Sequence, residues 1–471
     1  MNKLRRSQGA AVVLLLWLGV SLVCGQSNPQ AGNEKRSGHV IMISIDGLVP
    51  DYYTDPVQNE LKVPNLNTLR FGGSYAAGVE GVYPTVTYPS HTTLVTGLPP
   101  ARHGIVQNRI FEPPTGPQTK EWYWFSSALK AETLWTLARK AGLSTAAVGW
   151  PATAGAEIDF NVPEIYDPAD RTYAWKRIAQ NSTPGLLEKA LGSDWQKSPG
   201  EDERRVKVSE YLIKSHRPNL LLIHLIELDG VHHRSGPRTP PARKMAEIQD
   251  AYIGRIMEAT RQAGIFEQTT FLIVSDHGFA AINKKFAPNV VLAKEGLITI
   301  DANGKPTAWK AAAWPAGGSC AIVLRDPKDK ATAEKVRELF TKLAEREGSP
   351  LKQVVTRQEL NLLGAIPEAA LMLDAAAGYS FSEELTGPEV LDSGKDYQGT
   401  HGYLPSRPEM RASLIIYGAG VNPGVSLPLA RMVDIAPTAA ALLNLKLAQT
   451  EGKAIQEWLK PAPVIQKTGD R

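Results

Sequence analysis

The chain repeatedly carries an apolar run up to an acid or a histidine. His39–Ile45 closes on Asp46, Asn219–Leu225 leads to Glu227 and Asp229, and Thr269–Ser275 leads to Asp276-His277. Continuous apolar runs of this length are typical of strands buried on both faces. Amphipathic helical patterns fall between and around them, with Glu201–Ser215 and Pro240–Ala263 the clearest. That alternation predicts an α/β fold with a central, mostly parallel sheet and helices on both faces. In such sheets ligands collect at the carboxyl ends of the strands, so three distant segments deliver acids and imidazoles to one place.

The 471 residues, 43% of them hydrophobic, are ample for a large core. Further elements follow from spacing: helices at Pro64–Phe71, Ala131–Ala141 and Asp434–Leu443, and strands at Leu143–Trp150 and Arg411–Tyr417. Ala152–Leu191, rich in Pro and Tyr, reads as a cover over the site. Gly317–Leu324, Lys330–Arg346 and Val354–Leu363 read as a strand–helix–strand insertion within 317–385, inside a catalytic domain spanning 38–445. The polar tail, 446–471, is expected to be weakly ordered near its end.

Residues 1–25 read as a signal peptide, with Lys3, Arg5 and Arg6 before an apolar stretch Ala10–Val23 and cleavage after Gly25. A retained anchor is the alternative, although the run is short for a span. A flexible leader, 26–37, would follow. The protein is therefore expected to be periplasmic or secreted, with no membrane span after cleavage. Formal net charge is +4, and those three basic residues account for all but +1 of it, so no nucleic-acid platform is implied. Cleavage would leave Cys320 as the sole cysteine, which excludes an internal disulfide framework and a thiolate zinc site.

The stretch Tyr83–Asn108, YPTVTYPSHTTLVTGLPPARHGIVQN, supplies hydroxyls instead of acids. Pro89 suits the first turn of a helix running to about Val95, which puts Thr85 and Thr87 at or just before its N-terminus, where free amides favour an anion. A threonine hydroxyl is a poor nucleophile without a base or a metal, and no Gly-x-Ser-x-Gly elbow is present. Thr87 could equally be a helix cap. Asp229-Gly-Val-His232-His233 puts His233 four residues after Asp229, on one face of a helical turn, with His232 as its rival. Asp276-His277 offers adjacent ligands, and His401 lies in a Gly-rich turn. Such groups are individually common as caps or surface residues. Gathered at strand ends beside a hydroxyl-rich helix start, they read as a metal centre with an open position.

These motifs resemble one family. SIDG, PTVTYPSHTTLVTG with PxxHGI, the D-x-x-x-H of Asp229 and His233, SDHGF, THGY and VDIAPTAAALL occur in the order found in nucleotide pyrophosphatase/phosphodiesterases of the alkaline phosphatase superfamily. The resemblance implies an alkaline-phosphatase-like fold and two Zn2+ ions. One would be held by Asp229, His233 and His401, the other by Asp46, Asp276 and His277, with Thr87 between them as metal-activated nucleophile. Asn108 and the backbone amide of Tyr88 would contact the phosphoryl oxygens, and the Tyr88 ring would help form a nucleoside slot. His91 and His103 would be supporting residues, His232 a bystander, and His224 a satisfied core residue. The implied substrate is a small phosphodiester or nucleotide. The chain has Tyr88 and Ser90 where the family often has Phe and Asn, and Leu228 where it has Pro. No Lys-x-Arg pair follows Trp150–Thr153, which favours diesters over monoesters, and no sulfatase C/S-x-P-x-R motif occupies the nucleophile stretch. Cleavage of other diesters such as lipid headgroups, a phosphomonoesterase, and a catalytically silent binding protein are the rival readings.

Overall fold

A computed structural model describes residues 38–167, 171–197 and 200–461. The expected signal peptide and leader, and the last ten residues of the tail, lie outside them. The sheet at the centre has nine strands. Its parallel heart runs β6 (Thr269–Val274), β1 (His39–Ile45), β5 (Leu220–Leu225), β3 (Thr145–Val148) and β4 (Phe160–Val162). β7 (Ala412–Gly418) runs antiparallel between β6 and β2 (Ser74–Glu80). All seven residues of β1 are buried, and hydrophobic cores fill both faces of the sheet. Burial of each large aliphatic side chain there stabilises the fold by about 1.5–3 kcal/mol.

Four helices position the site: α1 (Thr87–Thr96), α2 (Glu201–His216), α3 (Glu227–Ser235) and α4 (Pro240–Gln262). The expected insertion, 317–385, supplies Ser319–Leu324, Ala369–Ala375 and Leu351–Thr356 to a four-stranded antiparallel sheet beside the helix Lys330–Ala344, and the fourth strand, Ala311–Ala316, precedes the expected boundary. Two details differ from the sequence reading. Val354–Leu363 is not one strand: the strand stops at Thr356, whose side chain forms a capping box with Glu359 and starts the helix Arg357–Leu362. Past Leu445, Leu447, Ile455 and Trp458 are buried in the core, so hydrophobic anchors hold a segment whose overall polarity suggested a tail. Among the described residues no helix is long and apolar enough to cross a membrane.

Candidate metal centre and active site

Each chemistry-bearing side chain is delivered by the end of an element. Asp46 follows β1, and Gly47 then takes φ +69°, a left-handed turn that glycine adopts without strain. Asp276 and His277 follow β6 after the single residue Ser275. Asp229 and His233 stand one helical turn apart on α3, 3.4 Å between Oδ1 and Nε2. That helix is started by buried Asp202, whose carboxylate accepts from the amides of Ile226 and Glu227 at 2.8 and 2.9 Å. His401 arrives on the short strand Gly399–Thr400, which pairs with Ala280–Ala281 just beyond the SDHGF motif. Gly402 must be glycine: its φ is +97°, and a Cβ would sit 1.9 Å from the Ala316 carbonyl oxygen.

The acids and imidazoles converge as two groups. Asp46, Asp276 and His277 form one, with His277 Nε2 at 3.3 Å from Asp46 Oδ1 and 3.1 Å from Asp276 Oδ2. In the other, Asp229 gathers with His401, 3.6 Å between Oδ1 and Nε2, and with His277. His233, expected in this group, approaches through Asp229, while the His277 and His401 rings stack at 3.6 Å. His277 therefore faces both groups.

Two observations show that the residues fit metal ions. His233, His277 and His401 each donate from Nδ1 to a backbone carbonyl, of Gly399, Gly278 and Thr85 respectively. All three Nε2 lone pairs are thereby left for a ligand inside the site, an arrangement common around metal-bound histidines. In addition, Asp46 Oδ1, Asp229 Oδ1, Asp276 Oδ2 and His277 Nε2 are buried without a hydrogen-bond partner. Buried acceptors left unpaired are costly, and a cation between them removes the penalty.

The electrostatics agree. Burial, followed by the charges of Asp276, Asp229 and Glu164, holds the Asp46 carboxyl well above its usual range. Burial also raises Asp276, but His277, His91 and His224 outweigh it and hold that carboxyl well below. Burial, then the His277 and His233 charges, keeps His401 neutral far below the usual imidazole value.

Thr87 is the first residue of α1. The capping position belongs to Val86, whose side chain cannot cap, so among the described residues no protein group hydrogen-bonds the Thr87 hydroxyl. A cavity of about 450 Å3 opens there, lined by Asp46, Thr87, Asn108, Asp229, His233 and His401 on one side. Trp122, Tyr166 and Met245 give it an apolar wall. Tyr88 differs from expectation twice. Its ring is fully buried behind Trp122, centroids 5.4 Å apart, and Trp122 in turn meets Tyr166 at 5.0 Å, so the cavity's aromatic wall is Trp122 and Tyr166. Its amide donates to Asn108 Oδ1 at 2.8 Å, which fixes the carboxamide and leaves Nδ2 as the free donor.

Of the supporting histidines, His91 donates from Nδ1 to the Thr87 carbonyl at 2.8 Å and His103 is buried against Thr93 Oγ1, while His232, the expected bystander, is buried beside the Tyr52 hydroxyl. His224 is a satisfied core residue, as expected, but what satisfies it is Asp46 Oδ2 at 3.0 Å and Glu164 Oε2 at 2.8 Å. Glu164, Trp122, Tyr166 and Arg205 were missed. Each stands alone in sequence, and the Pro- and Tyr-rich composition around 152–191 was the only signal for Glu164 and Tyr166.

A parallel α/β sheet with acid–imidazole groups at its strand ends and a hydroxyl on a helix N-terminus defines the alkaline-phosphatase-like class. The family described as type I phosphodiesterase / nucleotide pyrophosphatase matches residues 40–404, and the chain belongs to that family. It is 27% identical over 267 residues to ectonucleotide pyrophosphatase/phosphodiesterase family member 3 of Rattus norvegicus, covering 55% of this chain and 27% of that protein. It is 26% identical over 341 residues to an uncharacterized pyrophosphatase/phosphodiesterase of Schizosaccharomyces pombe, covering 68% of this chain and 61% of the other. The chain thus spans only part of these relatives' length. Among solved structures, an inactive variant of murine ectonucleotide pyrophosphatase/phosphodiesterase 5 in complex with AMP superposes with a TM-score of 0.64 at 19% identity, over 90% of this chain and all of that one, which confirms the fold.

Proposed function

We propose that the protein is an exported two-zinc phosphodiesterase/nucleotide pyrophosphatase that works through a covalent threonine intermediate and releases nucleoside monophosphates. The observation that carries this reading is the shared cavity: Thr87, Asn108, Asp46 of one ligand group and Asp229, His233 and His401 of the other open into one space walled by aromatic rings. Asp46, Asp276 and His277 would hold one ion, and Asp229, His233 and His401 the other. Bound there, zinc supplies Lewis acidity that activates the Thr87 hydroxyl and steadies the departing oxygen.

The chain's own groups do the rest. Thr87 Oγ1 forms a bond to phosphorus as the bond to the leaving oxygen breaks, and water later cleaves the Thr87–phosphoryl ester, regenerating the hydroxyl. Asn108 Nδ2, oriented by the Tyr88 amide, donates to a non-bridging oxygen whose charge grows in the transition state. The positive end of the α1 dipole favours the same charge. Trp122 and Tyr166 are placed to hold a planar nucleobase. Family membership and the "ecto" names of the relatives support the substrate class and export.

The test compares rates on purified, zinc-loaded protein with a nitrophenyl nucleotide diester and with nitrophenyl phosphate. A strong diester preference is expected. A monoester preference would move the chain to the phosphatase side of its superfamily.

A further inference from the structure

Behind Asp46 lies a chain of buried ionisable groups that the reaction does not itself use. Arg205 of α2 donates from Nη1 and Nη2 to Glu164 Oε2, both at 3.2 Å, and from Nη1 to the His224 carbonyl at 2.8 Å. Glu164 Oε2 accepts from His224 Nδ1 at 2.8 Å, and His224 Nε2 meets Asp46 Oδ2 at 3.0 Å. Every side chain in the series is at most 8% exposed.

We propose that Arg205, Glu164 and His224 are positioning residues that set Asp46 as a metal ligand. Asp46 has two carboxylate oxygens, and the series treats them differently. Oδ2 is tied to His224, while Oδ1 is buried, has no hydrogen-bond partner, and lies 3.3 Å from His277 Nε2. Pinning one oxygen turns the other toward the ligand group. His224 cannot swing away, because its Nδ1 also meets the Gly149 carbonyl at 3.1 Å and its ring packs 4.1 Å from that of His91. Glu164 in turn is held by a planar guanidinium, whose fork suits a fixed carboxylate. Asp276 is set by another means: its Oδ1 accepts from the amides of Gly47 and His277, both at 3.1 Å. Side chains thus do for Asp46 what the backbone does for Asp276. Groups that orient metal ligands in this way commonly contribute a factor of about 10–100 in metal affinity.

The inference rests on the two-metal reading, and its test reads metal binding instead of turnover. Zinc affinity at each of two sites is measured by chelator competition on the full chain, for wild type, Glu164→Gln and His224→Gln, with circular dichroism to confirm folding. One zinc is expected to weaken about 10–100-fold in each variant while the other keeps wild-type affinity. Wild-type affinity at both sites in the folded variants overturns the inference. Should a variant not fold, Glu164→Asp, which keeps the charge but shortens its reach, is measured in its place. Weakening at one site is again expected there, and wild-type binding at both overturns. Fewer than two zinc ions on the wild-type chain overturns the metal centre itself. Two zinc ions without diester hydrolysis overturns only the proposed activity.

Discussion

The two ligand groups are built from similar residues but sit in different surroundings. In the inner group Asp46, Asp276 and His277 are at most 5% exposed and are backed by His224, Glu164 and Arg205. In the outer group Asp229 and His233 are 20% and 23% exposed and His401 is 8% exposed, and all three line the cavity. The inner group is held by hydrogen bonds that are in place before any substrate arrives. The outer group is held by one short helix, one short strand and two backbone carbonyls, of Gly399 and Thr85. A buried inner group and a more exposed outer one suit the proposed reaction, in which a nucleophile would be fixed while a leaving group departs.

The strongest way to sharpen this contrast is to remove the threonine hydroxyl in the cavity that both groups reach. Thr87→Ala is expected to lower diester hydrolysis roughly a thousandfold or more, as loss of a covalent nucleophile does. Metal content should stay at two zinc ions, since six side chains other than Thr87 make up the ligand sets. Full activity in the variant, measured by nucleotide-diester turnover, would sink the proposed mechanism.

Next in size is a pair of histidine variants. His277 faces both groups, whereas His233 meets Asp229 and the His401 ring, both of the outer one. Chelator competition should therefore find both zinc ions weakened in His277→Ala and only one in His233→Ala. If His277→Ala lost a single ion with the other unchanged, the two groups would be more separate than the stacked His277 and His401 rings imply.

The legibility of the sequence divides along the same line. Asp46, Asp276 and His277 sit at the ends of apolar runs, where strand period and acid position are both readable. The spacing pointed to Asp229 with His233 or His232, and the resemblance chose His233. The supports of these residues were not readable. Glu164, Arg205 and His224 come from a loop, a helix and a strand 60 and 19 residues apart, and only the sheet's register brings them together. His224 was read as a satisfied core residue because it lies on a fully buried strand, and nothing local says that its partner is Asp46. Tyr88 misled in the opposite sense. It stands beside Thr87 in sequence, yet as the second residue of α1 its side chain turns into the core, leaving the cavity wall to Trp122 and Tyr166.

The outer group's support gives a smaller effect. Buried Asp202 caps the start of α3 and also accepts from Gln249 at 2.7 Å. Asp202→Ala would leave two half-buried amides and the buried Gln249 carboxamide without this partner, costing about 1–3 kcal/mol. Thermal melting should fall accordingly, and the zinc bound through Asp229 and His233 should weaken while the inner one does not. Equal loss at both sites would show that the capping acts on the whole domain.

The smallest effect tests the buried imidazoles around both groups. His91, His103 and His232 are each pushed down to about 3 by burial, with the His224 charge adding to the effect on His91 and the His233 and Arg238 charges on His232. An unfolded chain takes up protons on all three below about pH 6.5, whereas the folded one does not until near pH 3. Their contribution to stability is therefore complete above pH 6.5 and is lost progressively as pH falls toward 3, by about 1.4 kcal/mol per pH unit for each imidazole. His103 isolates the effect, because it lies between Thr93 Oγ1 and the Ile105 amide and touches neither ligand group. Denaturant midpoints of zinc-free His103→Gln between pH 5 and 7 should show a shallower acid loss than zinc-free wild type, by one imidazole's share. An identical slope would mean that burial does not keep His103 neutral, and the acid sensitivity would then have to come from the imidazoles beside the two groups.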